Sequence, residues 1–168
     1  MTTGTAAVTQ QTIFNVQLAV TSGGAVTPIE ATKKQVARLL RERGYRVMPA
    51  RRNRAYLWYT DGERVVGIEV HRAAGRQDKK GRYTRYQSPV LGHDQAQVLL
   101  LLAVAPDGQE HPFFIPMSAI GQRRNIAIWS DPVEYNGQWA PYRHNWDVLD
   151  QALAEAPSHD GWGLTLFK

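Results

Sequence analysis

The feature that most constrains the fold is an uninterrupted run of eight apolar residues, Val98 to Ala105. A strand with one wet face alternates apolar and polar residues, whereas a strand buried on both faces is apolar throughout. The run is also far shorter than the roughly 20 residues that a membrane-spanning helix needs. We therefore predict that it forms a central strand, buried on both faces of its sheet.

A helix start precedes this strand at Thr27-Pro28-Ile29-Glu30. Threonine suits the N-cap, proline the first helical position and glutamate the third position of a capping box. The helix that follows has an apolar stripe and ends at Gly44, a residue type that commonly terminates helices. We expect the Lys and Arg of this segment to lie largely off the stripe.

Shorter patterns predict the remaining elements. Asp61-Gly62 and Asn136-Gly137 are hairpin dipeptides, and Asn145 is a candidate cap for a last helix. The predicted strands are Tyr45–Met48, Ala55–Thr60, Arg64–Ala73, Pro112–Ile115 and Asn125–Ser130, with a helical turn at Pro116–Gly121 and a mobile loop or extended hairpin tip at Gly75–Arg85.

The chain shows no internal repeat and no linker, so one α/β domain with a single mixed β-sheet flanked by helices accounts for residues 28–168. Residues 1–27 form a predicted lead-in with an extra strand, because Phe14 to Val20 alternates apolar and polar side chains. An edge-like strand of this kind could pair with a second copy, and a homodimer is therefore a hypothesis.

Positive charge is concentrated in the middle of the chain. Residues 33–85 contain 16 of the 20 Lys and Arg but five of the 15 Asp and Glu, a net charge of +11 against −6 elsewhere. Such a polarity favours a nucleic acid as partner, although a solvated basic surface is the simpler alternative. The residues that we predict to contact nucleic acid are Lys33, Lys34, Arg51, Arg52, Arg54, Arg72, Arg76, Lys79, Lys80, Arg82 and Arg85.

The order of elements from about Pro28 to Leu149 resembles the PD-(D/E)XK nuclease superfamily, especially its small intron-encoded endonucleases and Holliday-junction resolvases. The resemblance rests on the helix acid Glu30, the strand Gly44 to Pro49, the strand Ala55 to Trp58, and Ile68-Glu69-Val70-His71-Arg72. The apolar strand followed by Phe113-Phe114-Ile115-Pro116 completes it. It implies a restriction-endonuclease-like fold, DNA as ligand and Mg²⁺ as cofactor of an active member.

The resemblance also implies a site, and the sequence departs from it. Glu69 matches the retained carboxylate, while His71 stands where the family has lysine and Tyr56 where it has the metal-binding aspartate. Glu69, with Glu30 as a second carboxylate, would hold the metal. Each residue has a simpler alternative: a capping-box role for Glu30, a solvent-facing position for Glu69 and a structural role for His71.

These observations rank three functions. The first is a DNA-binding protein whose cleavage activity is doubtful; the second is an active Mg²⁺-dependent endonuclease; the third is an interaction module for an acidic protein. DNA is favoured over RNA. The absence of cysteine excludes thiolate zinc sites and a cysteine nucleophile. His111 and His144 lack metal-ligand spacing with any partner. With no signal-peptide or membrane-span pattern, we expect a cytoplasmic protein.

Overall fold

The computed structural model describes residues 28–49, 55–77, 79–80, 83–92 and 96–158. The predicted strand at Phe14 to Val20, the N-cap Thr27, and the cations Arg51, Arg52, Arg54 and Arg82 lie outside these ranges. Within them the elements are α1 (Pro28–Glu42), β1 (Arg46–Pro49), β2 (Tyr56–Thr60), β3 (Val65–Ala74), β4 (Arg76–Gln77), β5 (Tyr83–Pro89), β6 (Ala96–Val104), β7 (Glu110–Pro116), α2 (Met117–Ile120), β8 (Asn125–Trp129) and α3 (Asp147–Glu155).

The centre of the fold is a five-stranded mixed sheet in the order β1-β2-β3-β6-β7, in which β3 and β6 run parallel and the other neighbours antiparallel. The turn at Asp61-Gly62 joins β2 to β3, as the sequence predicts. β6 contains residues 98–104 of the apolar run, and residues 98–103 are buried. The predicted fold class, a mixed α/β sheet flanked by helices, is confirmed.

Helices cover one face of this sheet. Val36 and Leu40 of α1 and Leu149 of α3 pack against Ile68 of β3 and Leu100 of β6 in one apolar cluster. We call this side of the central sheet the helical face. The cluster explains the stripe on α1, because its buried residues recur at the three- and four-residue spacing of an amphipathic helix.

A second sheet covers the opposite face. Strands β4, β5 and β8 form an antiparallel sheet in the order β4-β5-β8. Its residues Tyr86, Ile126 and Ile128 pack against Leu99 and Leu101 of β6 in a second apolar cluster. We call this side of the central sheet the sheet face. The sequence predicts the strands of this layer but not their separation into a sheet of their own. For Gly75–Arg85 the sequence left two alternatives, a mobile loop and an extended hairpin tip. The pairing of β4 with β5 agrees with the hairpin.

Two local predictions were wrong. Asn136-Gly137 does not form a hairpin, because the carbonyl oxygens of Pro132, Val133 and Tyr135 accept hydrogen bonds from the Arg143 guanidinium instead of a partner strand. Gly137 is required there by packing, since a Cβ at this position would overlap the phenol of Tyr135.

The cap of the last helix also differs from the prediction. Helix α3 begins at Asp147 with Trp146 as its N-cap residue and without a side-chain cap. Asn145 donates its side-chain amide to the carbonyl of Pro141 at 3.1 Å. None of the helices in the described ranges is long and apolar enough to cross a membrane.

A buried carboxylate connects the helices to the central sheet. Glu110 of β7 accepts hydrogen bonds from the Gln35 amide of α1 at 2.6 Å and from the Arg72 guanidinium of β3 at 2.8 Å. The Glu110 side chain is 9% exposed, whereas that of Arg72 is 48% exposed. The buried acid therefore depends on both donors for the hydrogen bonds that water would otherwise supply.

We predict that Glu110→Ala lowers the free energy of unfolding by about 1–3 kcal/mol, because it removes both charge-assisted hydrogen bonds and leaves Gln35 without this partner. Glu155→Ala is the matched control, since Glu155 also accepts from a glutamine, Gln151, but on the exposed surface of α3. The control should change stability by less than about 0.5 kcal/mol. Urea unfolding would measure both, and equal losses would contradict the structural role of Glu110.

Candidate functional site

Tyr56, Glu69 and His71 lie on the sheet face of the central sheet. Tyr56 of β2 is directly opposite Glu69 of β3, and on the other side Glu69 and His71 are paired with Leu99 and Leu101 of β6. Residues two apart on a strand point to the same face, as do directly paired residues on neighbouring strands. The fold thus brings together the three strand residues that the resemblance places in a site.

Glu69 is the most enclosed of them, with an exposed fraction of 0%. Its Oε1 accepts a hydrogen bond from the backbone N–H of Leu91 at 2.8 Å and lies 2.5 Å from Nε2 of His71. Leu91 follows β5, so this carboxylate connects the central sheet to the second sheet. The burial excludes the solvent-facing alternative for Glu69, and the His71 side chain is itself only 12% exposed.

Tyr56 contributes a neutral side chain to this site. It is buried, and its ring meets that of Trp58 edge-on with 4.9 Å between centroids. Burial raises the pKa of the Tyr56 phenol well above its ordinary value, because the phenolate would lose its hydration. The phenol therefore stays protonated near neutral pH and offers no anionic oxygen to a metal.

Glu30 and Lys33 lie on α1, which packs on the helical face. The Lys33 ammonium donates to Glu30 Oε1 at 2.8 Å, and the Lys33 side chain is 3% exposed. The helix that carries Glu30 is thus separated from the Glu69 side chain by the central sheet. Because the Lys33 side chain is buried, its ammonium is not accessible to a phosphate.

These residues do not fit a magnesium site. Mg²⁺ is bound by oxygen ligands, usually one or two carboxylates together with water and substrate phosphate. Within the ranges that the structure describes, Glu69 is the carboxylate that faces the site, and its Oε1 is engaged by Leu91 and His71. Among the described residues no group of three or more His, Asp or Glu could hold a metal ion.

The basic residues of the described ranges are distributed over several elements. Lys34 is exposed on α1, Arg72 lies at the end of β3, and Lys79 and Lys80 are exposed in the turn between β4 and β5. Arg76 pairs through its backbone with Arg85 across this hairpin. We call residues 76–85 the cationic hairpin. It begins just after the end of the strand that carries Glu69 and His71.

Strand β8 adds surface residues that sequence analysis missed. Trp129 is 56% exposed, and the Arg85 guanidinium lies over its ring at 4.8 Å from the centroid. Asn125 and Arg124 are exposed at the other end of the strand. The alternation of Asn125 to Trp129 could have indicated one solvent-facing side, but its neighbour in the sheet could not be known from the sequence. Tyr86 of β5 is buried in the second apolar cluster, so its ring is not available to stack on a base.

The fold also brings together two histidines that are distant in sequence. His111 Nδ1 lies 3.2 Å from His144 Nε2. Burial lowers the pKa of both imidazoles, and for His144 the neighbouring His111 and Arg143 lower it further. No third ligand completes a metal site among the described residues, so the pair is a neutral structural contact near pH 7.

We predict that this pair makes stability depend on pH. Because the folded-state pKa values lie below the ordinary value of 6.5, the unfolded state binds more protons as the pH falls through about 6.5, and the free energy of unfolding decreases. His144→Asn should reduce this loss, since asparagine tolerates the positive φ of 53° and does not titrate. Urea midpoints measured at about pH 7.5 and 5.5 test this; an unchanged pH dependence in the variant would contradict it.

Comparisons with known proteins agree with this architecture at the level of fold. No family model matches the sequence, and no curated protein does. Among solved structures, the chain is similar to a bacterial homing endonuclease, I-Ssp6803I, with a TM-score of 0.53 and 16% identity. The similarity covers 73% of this chain and 90% of that chain. At this level of identity, the chain shares a nuclease-like α/β fold with the homing endonuclease.

Proposed function

We propose that this protein binds DNA on a nuclease-like fold and does not hydrolyse it. The observation that carries the proposal is the position of the cationic hairpin, which begins just after the end of β3, the strand that carries Glu69 and His71. A strand that ends in a positive hairpin places a phosphate-binding surface beside the location that the resemblance assigns to the site. The similar structure is that of a homing endonuclease, so nucleic acid is the ligand class that the shared fold favours.

Electrostatics support a polyanion as the ligand. The sequence segment 76–85 contains five Lys and Arg and one acid, Asp78. Lys79 and Lys80 are exposed, as the release of phosphate counterions requires. In this proposal Lys79 and Lys80 make the principal phosphate contacts, because their segment follows the strand that carries Glu69 and His71.

The donor set supports binding without hydrolysis. Phosphodiester hydrolysis of the nuclease type uses a metal to stabilise charge and to supply hydroxide near neutral pH. Glu69 is instead buried and hydrogen-bonded to the Leu91 backbone, and Tyr56 is a neutral phenol. In this proposal Glu69 and His71 act structurally, by holding the second sheet against β3.

The two other candidate functions make different demands. An active endonuclease would need a carboxylate beyond the described residues to complete a site with Glu69. An interaction module would need an acidic protein to match the hairpin, and DNA would then bind weakly. Homodimerisation through the predicted strand at Phe14 to Val20, and a cytoplasmic location, remain predictions from the sequence.

We predict that Lys79→Ala combined with Lys80→Ala weakens binding to duplex DNA of every sequence, because phosphate contacts carry no base information. Affinity of the parent protein should fall steeply between about 50 and 200 mM salt, and the slope of this dependence should decrease by about two in the variant. Fluorescence anisotropy with a labelled duplex measures both quantities.

Arg38→Ala combined with Arg46→Ala is the matched control, since it removes the same charge from exposed positions on α1 and β1. This control should retain most of the affinity and of the salt slope. Equal losses in the two double variants would show attraction by net charge alone, and salt-insensitive binding would contradict the proposal.

We expect no nicking or linearisation of supercoiled plasmid in Mg²⁺ or Mn²⁺ beyond that in chelator, because the donor set near Glu69 does not fit a metal site. Gel electrophoresis over a time course checks this. Cleavage that Glu69→Gln abolishes would overturn the absence of hydrolysis and favour the endonuclease. Cleavage that survives Glu69→Gln would show a site elsewhere in the chain.

A further inference from the structure

The second sheet has an outward side that its packing against β6 does not use. Tyr86, Ile126 and Ile128 point inward and are buried. The alternate positions are therefore turned away from the core. In register they are Arg85 opposite Trp129, Gln87 opposite Ala127, and Pro89 opposite Asn125.

We call these six positions the outward face, and its chemistry is that of a polar recognition surface. Gln87 and Asn125 present carboxamides, each with both a donor and an acceptor, and Arg85 presents a guanidinium. With Ala74 and Pro89, these three line a depression of about 250 Å³. Side-chain hydrogen bonds of Gln87 or Asn125 are absent from the part of the chain that the structure describes, so the packing seen there does not account for the amides.

Arg85 is held in place by its neighbour on β8. Its guanidinium lies over the Trp129 ring, a cation–π contact that limits the rotamers of the side chain. Within the described part of the chain, no acid forms an ion pair with Arg85, whose Nε is buried without a hydrogen-bond partner. A planar donor group that is oriented but not neutralised suits recognition of an acceptor pair on a ligand.

The dimensions of the outward face match duplex DNA. The major groove is about 12 Å wide and admits a two-stranded β-ribbon. β5 and β8 are paired over five residues, from Arg85 and Trp129 to Pro89 and Asn125. Side chains on one face of a strand recur about every 6.8 Å, which is about two base-pair steps of 3.4 Å. Arg85 and Gln87 are thus spaced to contact different base pairs.

We propose that the outward face enters the major groove of duplex DNA, with Gln87 and Asn125 contacting base edges. Carboxamides bind adenine through two hydrogen bonds, and a guanidinium binds guanine in the same way. This inference rests on the proposed function, and it adds sequence discrimination to a phosphate contact made by the cationic hairpin. Duplex RNA is disfavoured, because its major groove is too deep and narrow for side chains to reach the bases.

The test uses a pool of duplex DNA with a randomised centre, from which the parent protein selects an enriched sequence. Affinities for that duplex and for a scrambled duplex are then measured for Gln87→Ala and for Asn125→Ala. Each variant should lose roughly 5- to 150-fold in affinity for the enriched duplex. Affinity for the scrambled duplex should change by less than about twofold, because the phosphate contacts remain.

Gln151→Ala is the matched control, since Gln151 is an exposed glutamine on α3, behind the helical face. It should leave both affinities unchanged. If Gln87→Ala and Asn125→Ala keep the parent's ratio of enriched to scrambled affinity, the inference is wrong. It is equally wrong if the parent enriches no sequence while binding all duplexes, or if RNA of the enriched sequence binds with the same losses. If no duplex binds at all, the proposed function itself fails.

Discussion

The structure depends on the burial of β6 on both faces. Leu100 packs against the helices and Leu99 against the second sheet, and neither layer could be removed without exposing half of the strand. Because burial of apolar area is the dominant favourable term in folding, this requirement fixes a three-layer arrangement around β6. Strand β3, the parallel neighbour of β6, is covered by the same two layers, with Ile68 facing the helices and Glu69 facing the second sheet.

The two layers that cover β3 explain why the carboxylate of the candidate site is buried and hydrogen-bonded. A carboxylate on a doubly covered strand cannot remain without hydrogen bonds, since burial of an unpaired charge is costly. Glu69 meets this requirement through the Leu91 backbone and His71, both within reach because β5 ends beside β3. The polar contact between the two sheets is therefore a consequence of the layer that covers β6.

The two outer layers offer different surfaces to a ligand. On the helical side, Lys34 and Arg41 are exposed, while Lys33 and Arg72 contact Glu30 and Glu110. On the sheet side, the hairpin and the outward face carry Lys79, Lys80, Arg85 and two carboxamides beside an exposed tryptophan. The proposed function assigns DNA to the second sheet because the carboxamides and the tryptophan lie there.

The sequence by itself determined the elements whose signals are local: the helix that begins at Pro28, the turn at Asp61-Gly62, and the apolar strand that needed cover on both faces. It also placed Glu69 and His71 on one face, because the two-residue period of a strand is a local property. Only the tertiary structure decided which chain segments cover each face. The enclosure of Lys33, the contact of His111 with His144 and the partner of Trp129 all depend on residues distant in sequence. Asn136-Gly137 forms no hairpin for the same reason. The Arg143 guanidinium, which is not adjacent in sequence, donates hydrogen bonds to the carbonyls of Pro132 and Tyr135, which the predicted hairpin would have paired with a strand.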